Sequence, residues 1–116
     1  MQCRRDVHTH DIAPSDVAAL NREVILVDVR STVEFDAGHA PGAINMPIEA
    51  IEAGWRGNDA RQPFVTICRS SETAQHAAHL LRTKGCDAVA IQGGMLAWAA
   101  AGLPLVTNIG TPPRVL

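Results

Sequence analysis

The sequence predicts an α/β fold built on a parallel sheet, and two observations indicate it. Short apolar runs alternate with amphipathic stretches along the 116 residues. Two of the runs, at residues 24–27 and 64–67, are rich in β-branched side chains, which is typical of strands that helices cover on both faces. Strands separated by helical stretches favour right-handed crossovers and a common strand direction.

Length and composition indicate one globular domain. Apolar residues make up 47% of the chain and charged residues 19%, which excludes general disorder. The net charge of -2 gives no reason to expect nucleic acid or an anionic membrane as a partner. No apolar run approaches a membrane span, and the amino end lacks the apolar core of a secretory signal. The three cysteines are scattered at positions 3, 68 and 86 and make no disulfide framework, so we expect a soluble, cytoplasmic protein with reduced thiols.

The first half of the chain predicts three helices and two strands. The first helix is expected at 11–20, with Pro14 in its first turn and Asp11 or Ser15 as its cap. A strand at 24–27 follows, and then a short helix that Ser31 or Thr32 caps and Gly38 ends. The last two elements are a strand of at most three residues at 43–45 and a helical turn or two at 48–53. A polar loop follows at 54–63.

The second half predicts two further strand and helix pairs, with strands at 64–68 and 88–91 and helices at 70–84 and 95–101. The helix at 70–84 has a narrow face of small residues that suits close packing on a sheet, formed by Ala74, Ala77, Ala78 and Leu81. We expect the folded domain to span residues 1–106, with a frayed amino end. Residues 107–116 then form an exposed tail that is either free or docked.

Cys68 ends an apolar run and precedes a polar loop that opens a helical pattern. A side chain at this position faces backbone N–H groups of the next helix that have no partner inside the helix. Those donors and the positive end of the helix dipole stabilise an anion. Because the thiolate is the reactive form of cysteine, the sequence predicts a nucleophile at Cys68, and we expect its sulfur to be partly exposed with several loop N–H groups directed at it. Asp28 also ends a strand, so both residues are candidates for a site at the carboxyl edge of the sheet.

Several motifs together resemble the rhodanese-like domain in its small single-domain form. They are Asp28-Val29-Arg30, then Glu34-Phe35 with residues 38–47 (GHAPGAINMP), then Cys68 with its loop, then Gly93-Gly94 with Trp98 and Gly102-Leu103-Pro104. Each motif alone is weak, whereas the ordered set is specific. The resemblance implies a parallel sheet of about five strands with helices on both faces, and a thiol that carries sulfur as a persulfide.

The same resemblance implies the residues of the site. Cys68 would carry the sulfur, and the loop facing it would consist of Arg69, Ser70, Ser71, Glu72 and Thr73. Loops of the family commonly have Gly at the third position after the cysteine and often Arg at the fifth, where this chain has Ser71 and Thr73. Arg69 is either a substrate contact that replaces the missing Arg or a solvated loop charge.

Asp28 and Arg30 are expected to support the site. In one interpretation, Asp28 orients the loop or an acceptor molecule. In the interpretation that we favour, Asp28 caps the following turn and Arg30 forms an ion pair with Glu34 at i+4. His39 is expected to make a fixed hydrogen bond in its turn, and Cys86 to fill the core.

The function that these residues predict is a sulfurtransferase. It would move a sulfane sulfur from a donor such as thiosulfate to cyanide, a thiol or an acceptor protein, and a positively charged pocket would suit such donors. The alternatives are a non-catalytic sensor or docking module and, less favoured, a dual-specificity phosphatase, whose loop ends in an Arg that this loop lacks. We expect no cofactor and no metal, since Cys3, His8 and His10 have no evident fourth ligand.

Two tryptophans have different expected roles. Trp98 of the last helix is predicted to pack in the core of the protein. Trp55 lies in a polar loop, where it either lines the mouth of the pocket or a partner surface, or covers an edge of the core.

Overall fold

The structure is a computed structural model that describes residues 11–19, 24–56 and 63–116. Within these ranges the elements in chain order are α1 (Pro14–Ala19), β1 (Ile25–Asp28), α2 (Thr32–Ala37), β2 (Ile44–Asn45), α3 (Ile48–Glu52), β3 (Phe64–Ile67), α4 (Glu72–Thr83), β4 (Ala88–Ala90) and α5 (Gly94–Ala100). The predicted alternation of strands and helices is confirmed. No helix among the described residues has both the length and the apolar character needed to cross a bilayer.

The sheet is parallel throughout, with the strand order β2-β1-β3-β4. The sequence predicts about five strands, and four are present in the described residues. The position beside β4 is occupied by a single bridge between Ile12 and Ile91, in which the Ile12 N–H donates to the Ala90 carbonyl oxygen at 2.9 Å. Because a single bridging residue does not form a strand, the alternating pattern of a strand cannot predict it from the sequence.

Helices cover both faces of the sheet, because successive side chains of each strand point to opposite faces. On one face Val27 and Phe64 pack with α3 and α4, and the predicted small-residue face of α4 is buried there. On the other face Val65 and Ile67 pack with Met95 and Trp98 of α5. The close fit of α4 follows from its alanines, since Ala74 and Ala77 have no exposed surface.

The first helix begins later than predicted. It begins at Pro14, the position where a missing N–H costs least, so Ser15 lies inside the helix and is not its cap. Asp11 lies two residues before the N-cap position of a helix that begins at Pro14, and its carboxylate accepts a hydrogen bond from the Gln75 side chain of α4. Leu20, where the predicted helix ends, lies outside the described residues.

Residues 107–116 form a segment that is docked on the domain. The segment starts after an antiparallel bridge between His39 and Val106, with N···O distances of 2.9 Å in both directions. Near its other end the Arg114 N–H donates to the Ala37 carbonyl oxygen at 2.9 Å. Most of its side chains are exposed, as predicted. The division of the chain at residue 106 stays a prediction.

Candidate active site

Cys68 lies at the carboxyl end of β3, beside the carboxyl end of β1. The register pairs Asp28 with Ile67, and the Val29 N–H continues the ladder by donating to the Ile67 carbonyl oxygen at 2.9 Å. The chain leaves β1 toward β2 on one side and reaches β3 on the other, so the strand order reverses here. Crevices at such a reversal are the usual ligand sites of open parallel sheets.

The thiol of Cys68 faces the amino end of α4. The backbone N–H of Ala74 donates to Cys68 Sγ at 3.3 Å, and α4 runs for 12 residues from Glu72. The donor and the dipole of the helix both stabilise negative charge on the sulfur. We expected a partly exposed sulfur with several N–H groups directed at it. The residue is instead 5% exposed and has one such hydrogen bond.

The buried sulfur nonetheless opens onto a pocket of about 340 Å³. Its walls come from the ends of β1 and β3, the start of α3 and the loop before α4, and consist of Val29, Arg30, Ser31, Glu34, Ile48, Glu49, Cys68, Arg69, Ser70 and Thr73. The pocket therefore contains the predicted nucleophile together with three of the five predicted loop residues. Ser71 and Glu72 are not part of its wall.

Ser71 takes the place of a family glycine without requiring glycine geometry. Its φ of -147° and ψ of -39° lie outside the left-handed region. Its hydroxyl is directed away from the pocket and accepts a hydrogen bond from the Gly93 N–H at 2.9 Å. Ser71 thus ties the loop to the start of α5.

The start of α5 holds the loop from behind. The Met95 N–H donates to the Cys68 carbonyl oxygen at 2.7 Å, and the Leu96 N–H donates to the Arg69 carbonyl oxygen at 3.1 Å. Gly94 has a φ of 60°, and a Cβ on it would overlap with the carbonyl groups of Cys68 and Ser70. In the sequence, the pair Gly93-Gly94 is recognised only as one of the motifs that resemble the family. Its close approach to the loop depends on residues more than 20 positions away and has no local signal.

Asp28 and Arg30 form a buried ion pair at the pocket wall. Arg30 Nη2 lies 2.7 Å from Asp28 Oδ2, and Arg30 Nε lies 3.0 Å from Asp28 Oδ1. The Arg30 N–H also donates to Asp28 Oδ1 at 3.1 Å, so the predicted capping of the turn by Asp28 is present. Arg30 Nη2 further donates to the Gly38 carbonyl oxygen at 2.8 Å, which fixes the end of α2.

The predicted pair between Arg30 and Glu34 is wrong. Glu34 instead closes a capping box, in which its carboxylate accepts from the Ser31 N–H at 3.1 Å and the Ser31 hydroxyl accepts from the Glu34 N–H at 3.3 Å. The i+4 rule applies to residues that are both helical, whereas Arg30 precedes the N-cap residue.

The pocket is not simply cationic, contrary to our expectation. Two carboxylates, Glu34 and Glu49, line it together with two guanidinium groups. Asp28 neutralises Arg30, and Arg69 Nε donates to an oxygen of Leu116, the last residue of this sequence, at 2.9 Å. Sequence reasoning missed Glu49 as a wall residue. Its position just after the end of β2 was the available signal, because parallel strands bring their carboxyl ends to one edge.

Other predicted residues are structural. His39 Nδ1 lies 2.6 Å from the Phe35 carbonyl oxygen and its ring stacks on Phe35, as expected of a fixed contact in the turn. Cys86 is buried. Trp98 is buried and donates through Nε1 to the Pro104 carbonyl oxygen at 2.8 Å. Trp55 meets the Phe64 ring edge-on and is absent from the pocket wall. These contacts favour the interpretation that Trp55 covers an edge of the core.

A metal site receives no support from the described part of the chain, where no group of three His, Cys, Asp or Glu side chains converges. The sequence candidates Cys3, His8 and His10 lie outside the described residues.

Comparison with known proteins places the fold and the motifs in one family. An uncharacterised protein of Synechocystis is 32% identical over 108 residues, which cover 90% of this chain and 60% of that protein. A helix-turn-helix transcriptional regulator of Mycobacterium tuberculosis is 39% identical over 85 residues, or 72% of this chain and 38% of the regulator. The chain thus spans between about two fifths and three fifths of the length of these relatives.

A solved structure shares the architecture. The rhodanese-related protein of Thermoplasma volcanium superposes with a TM-score of 0.77 at 25% identity, over 83% of this chain and 96% of that protein. The family model for the rhodanese-like domain matches residues 14–101, which include every element from α1 to α5 and the whole Cys68 loop. The chain therefore belongs to the rhodanese-like domain family.

Proposed function

We propose that the protein is a sulfurtransferase in which Cys68 carries a sulfane sulfur as a persulfide. In the first step the Cys68 thiolate attacks the outer sulfur of a donor such as thiosulfate. A new S–S bond forms, the S–S bond of the donor breaks, and its electron pair leaves with sulfite. In the second step cyanide or a thiolate attacks the outer sulfur of the persulfide, and the Cys68 thiolate is regenerated. No external oxidant or reductant is needed.

The observation that carries the proposal is the position of Cys68 Sγ. It opens onto the pocket and accepts the Ala74 N–H at 3.3 Å, at the amino end of a 12-residue helix. This environment stabilises the anionic sulfur that both steps require, as thiolate before the transfer and as persulfide after it. Burial of the residue limits access of larger oxidants to the persulfide between the two steps.

Phosphoryl transfer fits the pocket less well. A phosphatase of this fold needs a guanidinium group at the end of the loop to clamp the phosphate oxygens. The corresponding side chains here are Thr73 and Ala74, neither of which can clamp phosphate oxygens as a guanidinium does. The family's sulfur chemistry needs no such clamp.

A second candidate is a sensor or docking module that does not turn over. It is favoured by the similarity to a transcriptional regulator, in which the matched region makes up 38% of the length. In that case Cys68 would become persulfidated once and the modified domain would be read by another protein. The two candidates differ in turnover, because only an enzyme releases the sulfur to a small acceptor in many cycles.

The experiment that tests the proposal is thiocyanate production from thiosulfate and cyanide by purified protein. We expect multiple turnovers with the wild type and with Cys86→Ser, and none above background with Cys68→Ser. Cys86 is the matched control because it is the other buried free cysteine of the described residues. A single stoichiometric sulfur transfer without turnover would favour the module, and equal rates in the Cys68→Ser variant would refute both.

A further inference from the structure

We propose that Thr66 is a positioning residue of the active site, which holds the amino end of α4 so that the Ala74 N–H meets Cys68 Sγ. The inference rests on the proposed sulfurtransferase function, because it assigns a residue to the anionic sulfur on which both transfer steps depend. The evidence lies in the burial of the Thr66 hydroxyl and in the bond that this hydroxyl makes to α4.

Thr66 and Cys68 lie on the same face of β3, because side chains two positions apart in a strand point the same way. Phe64 and Cys68 belong to the core cluster on the face that α4 covers, so Thr66 between them points toward that helix. The register places Thr66 between Val27 of β1 and Ala90 of β4. Thr66 has no exposed surface, so its hydroxyl lies inside the core.

The hydroxyl of Thr66 has its short hydrogen bond to the helix and not to the sheet. Thr66 Oγ1 donates to the Ala74 carbonyl oxygen at 2.7 Å, whereas the Val89 carbonyl oxygen lies 3.5 Å away. A buried hydroxyl without a partner is unfavourable, and valine fits a central strand as well as threonine does. The polar side chain is therefore explained by its contact with the first turn of α4.

Side chains of β3 hold both backbone groups of Ala74. The Ala74 carbonyl oxygen accepts the Thr66 hydroxyl, and the Ala74 N–H donates to Cys68 Sγ at 3.3 Å. A carbonyl in the first turn of a helix also accepts the N–H four positions later, so Thr66 is not needed to satisfy it. What the second bond adds is a fixed position of the start of α4 on β3. Ala74 is completely buried, and its small side chain permits this close approach.

This position matters for the sulfur. The Ala74 N–H is the donor that reaches Cys68 Sγ among the described residues. A hydrogen bond to an anion weakens as the donor moves away or tilts. Without the Thr66 hydroxyl the start of α4 is free to shift along β3, and the anionic sulfur then loses part of its stabilisation.

Two substitutions separate the hydroxyl of Thr66 from its packing. Thr66→Val keeps the branched shape and removes the donor, whereas Thr66→Ser keeps the donor and removes a methyl group. Thr83→Val is the matched control, because Thr83 Oγ1 also donates to a carbonyl oxygen of α4, that of Leu80 at 2.6 Å, but at the opposite end of the helix. We would measure the rate of Cys68 alkylation by iodoacetamide as a function of pH, with mass spectrometry of the Cys68 peptide.

We expect Thr66→Val to move the midpoint of the pH profile upward by about 0.5–1 unit, as for a weaker hydrogen bond to the charged form. Below the midpoint, alkylation and persulfide formation with thiosulfate should both be about three- to ten-fold slower. At high pH the alkylation rates should converge, because the thiol is then ionised in every variant. Thr66→Ser and Thr83→Val should keep the wild-type profile.

Thermal unfolding checks that the effect is not a loss of fold. The midpoint for Thr66→Val should stay within about 4 °C of the wild type, since the Ala74 carbonyl keeps its bond within the helix. Thr66→Ser leaves a small cavity and should unfold at a lower temperature than Thr66→Val while keeping the wild-type pH profile. The order of the variants in stability thus differs from their order in reactivity.

An unchanged pH profile in Thr66→Val would overturn the inference. Equal shifts in Thr66→Val and Thr66→Ser, or in Thr66→Val and Thr83→Val, would also overturn it, because packing or a general effect on the helix would then explain the change. If the profile shifts as expected but the wild type takes up no sulfur from thiosulfate, the proposed function is refuted and the positioning role of Thr66 stands. The two failures are therefore distinguishable.

Discussion

Asp28 and Arg30 show how single residues support the site without touching the reacting sulfur. The two side chains are almost completely inaccessible, with 0% and 2% of their surfaces exposed. Burial of two charges is tolerated here because the pair makes several hydrogen bonds, to each other and to the Gly38 carbonyl oxygen. The pair connects the end of β1 to the end of α2, and both of these elements border the pocket.

Removal of one partner of this pair should be strongly destabilising. Asp28→Ala leaves the Arg30 guanidinium buried without a counter-charge, and we expect a loss of about 3–5 kcal/mol in the free energy of unfolding. The measurement is urea denaturation. The double variant Asp28→Leu with Arg30→Met removes both charges and should recover a large part of the loss. A single variant as stable as the wild type would contradict the role of the pair.

For single residues, the sequence located the thiol at the end of β3 but not its contacts. Cys68 could be placed because a strand end before a helix is a local pattern. The partner of Arg30 could not, because two acids lay within reach and the choice depended on where α2 begins. The hydrogen bond of Ser71 to Gly93 likewise joins residues 22 positions apart.

Among the elements, α5 contributes more to the site than its sequence indicates. Its first residues hold the Cys68 loop through three backbone groups, those of Gly93, Met95 and Leu96. The approach is close enough that Gly94 has no room for a side chain. The loop is therefore held between α4, which faces the sulfur, and α5, which fixes the backbone.

Gly94→Ala tests this support, with Gly102→Ala as its matched control. Both glycines have positive φ, 60° and 75°, but only Gly94 has backbone atoms in the way of a Cβ. The control should lose about 1–2 kcal/mol of unfolding free energy from backbone strain. Gly94→Ala should lose about 1–3 kcal/mol more from overlap and should also slow persulfide formation. Thermal unfolding and the rate of sulfur uptake measure the two effects. Equal behaviour of the two variants would mean that the loop does not depend on α5.

The elements themselves were largely predictable. The small-residue face of α4 and the β-branched run of β3 are local patterns, and both form where they were expected. The bridge of Ile12 to Ile91 and that of His39 to Val106 were not predictable, because each is a single pairing across a long stretch of chain.

For the molecule as a whole, charge would decide which donors the proposed sulfurtransferase favours. The chain has a net charge of -2, and the pocket wall contains Glu34 and Glu49 beside Arg69. A dianionic donor such as thiosulfate would be attracted by Arg69 and repelled by the two carboxylates.

Glu49→Gln should therefore raise kcat/KM for thiosulfate. Removal of one negative charge from the pocket wall is expected to increase it roughly two- to five-fold at low ionic strength, with a smaller gain at high salt. Glu52→Gln on the same helix is the control, because Glu52 is exposed and does not line the pocket. Steady-state kinetics at two salt concentrations measure the effect. An equal gain in both variants would indicate a long-range effect of net charge and not a property of the pocket.

Mass spectrometry of the thiosulfate-treated protein shows directly whether Cys68 carries sulfur. We expect a mass increase of one sulfur atom, located by peptide mapping on Cys68, that disappears after addition of cyanide. Cys86→Ser should give the same adduct and Cys68→Ser should give none. An unmodified Cys68, or a sulfur adduct found on Cys86 instead, would refute a persulfide carrier at Cys68.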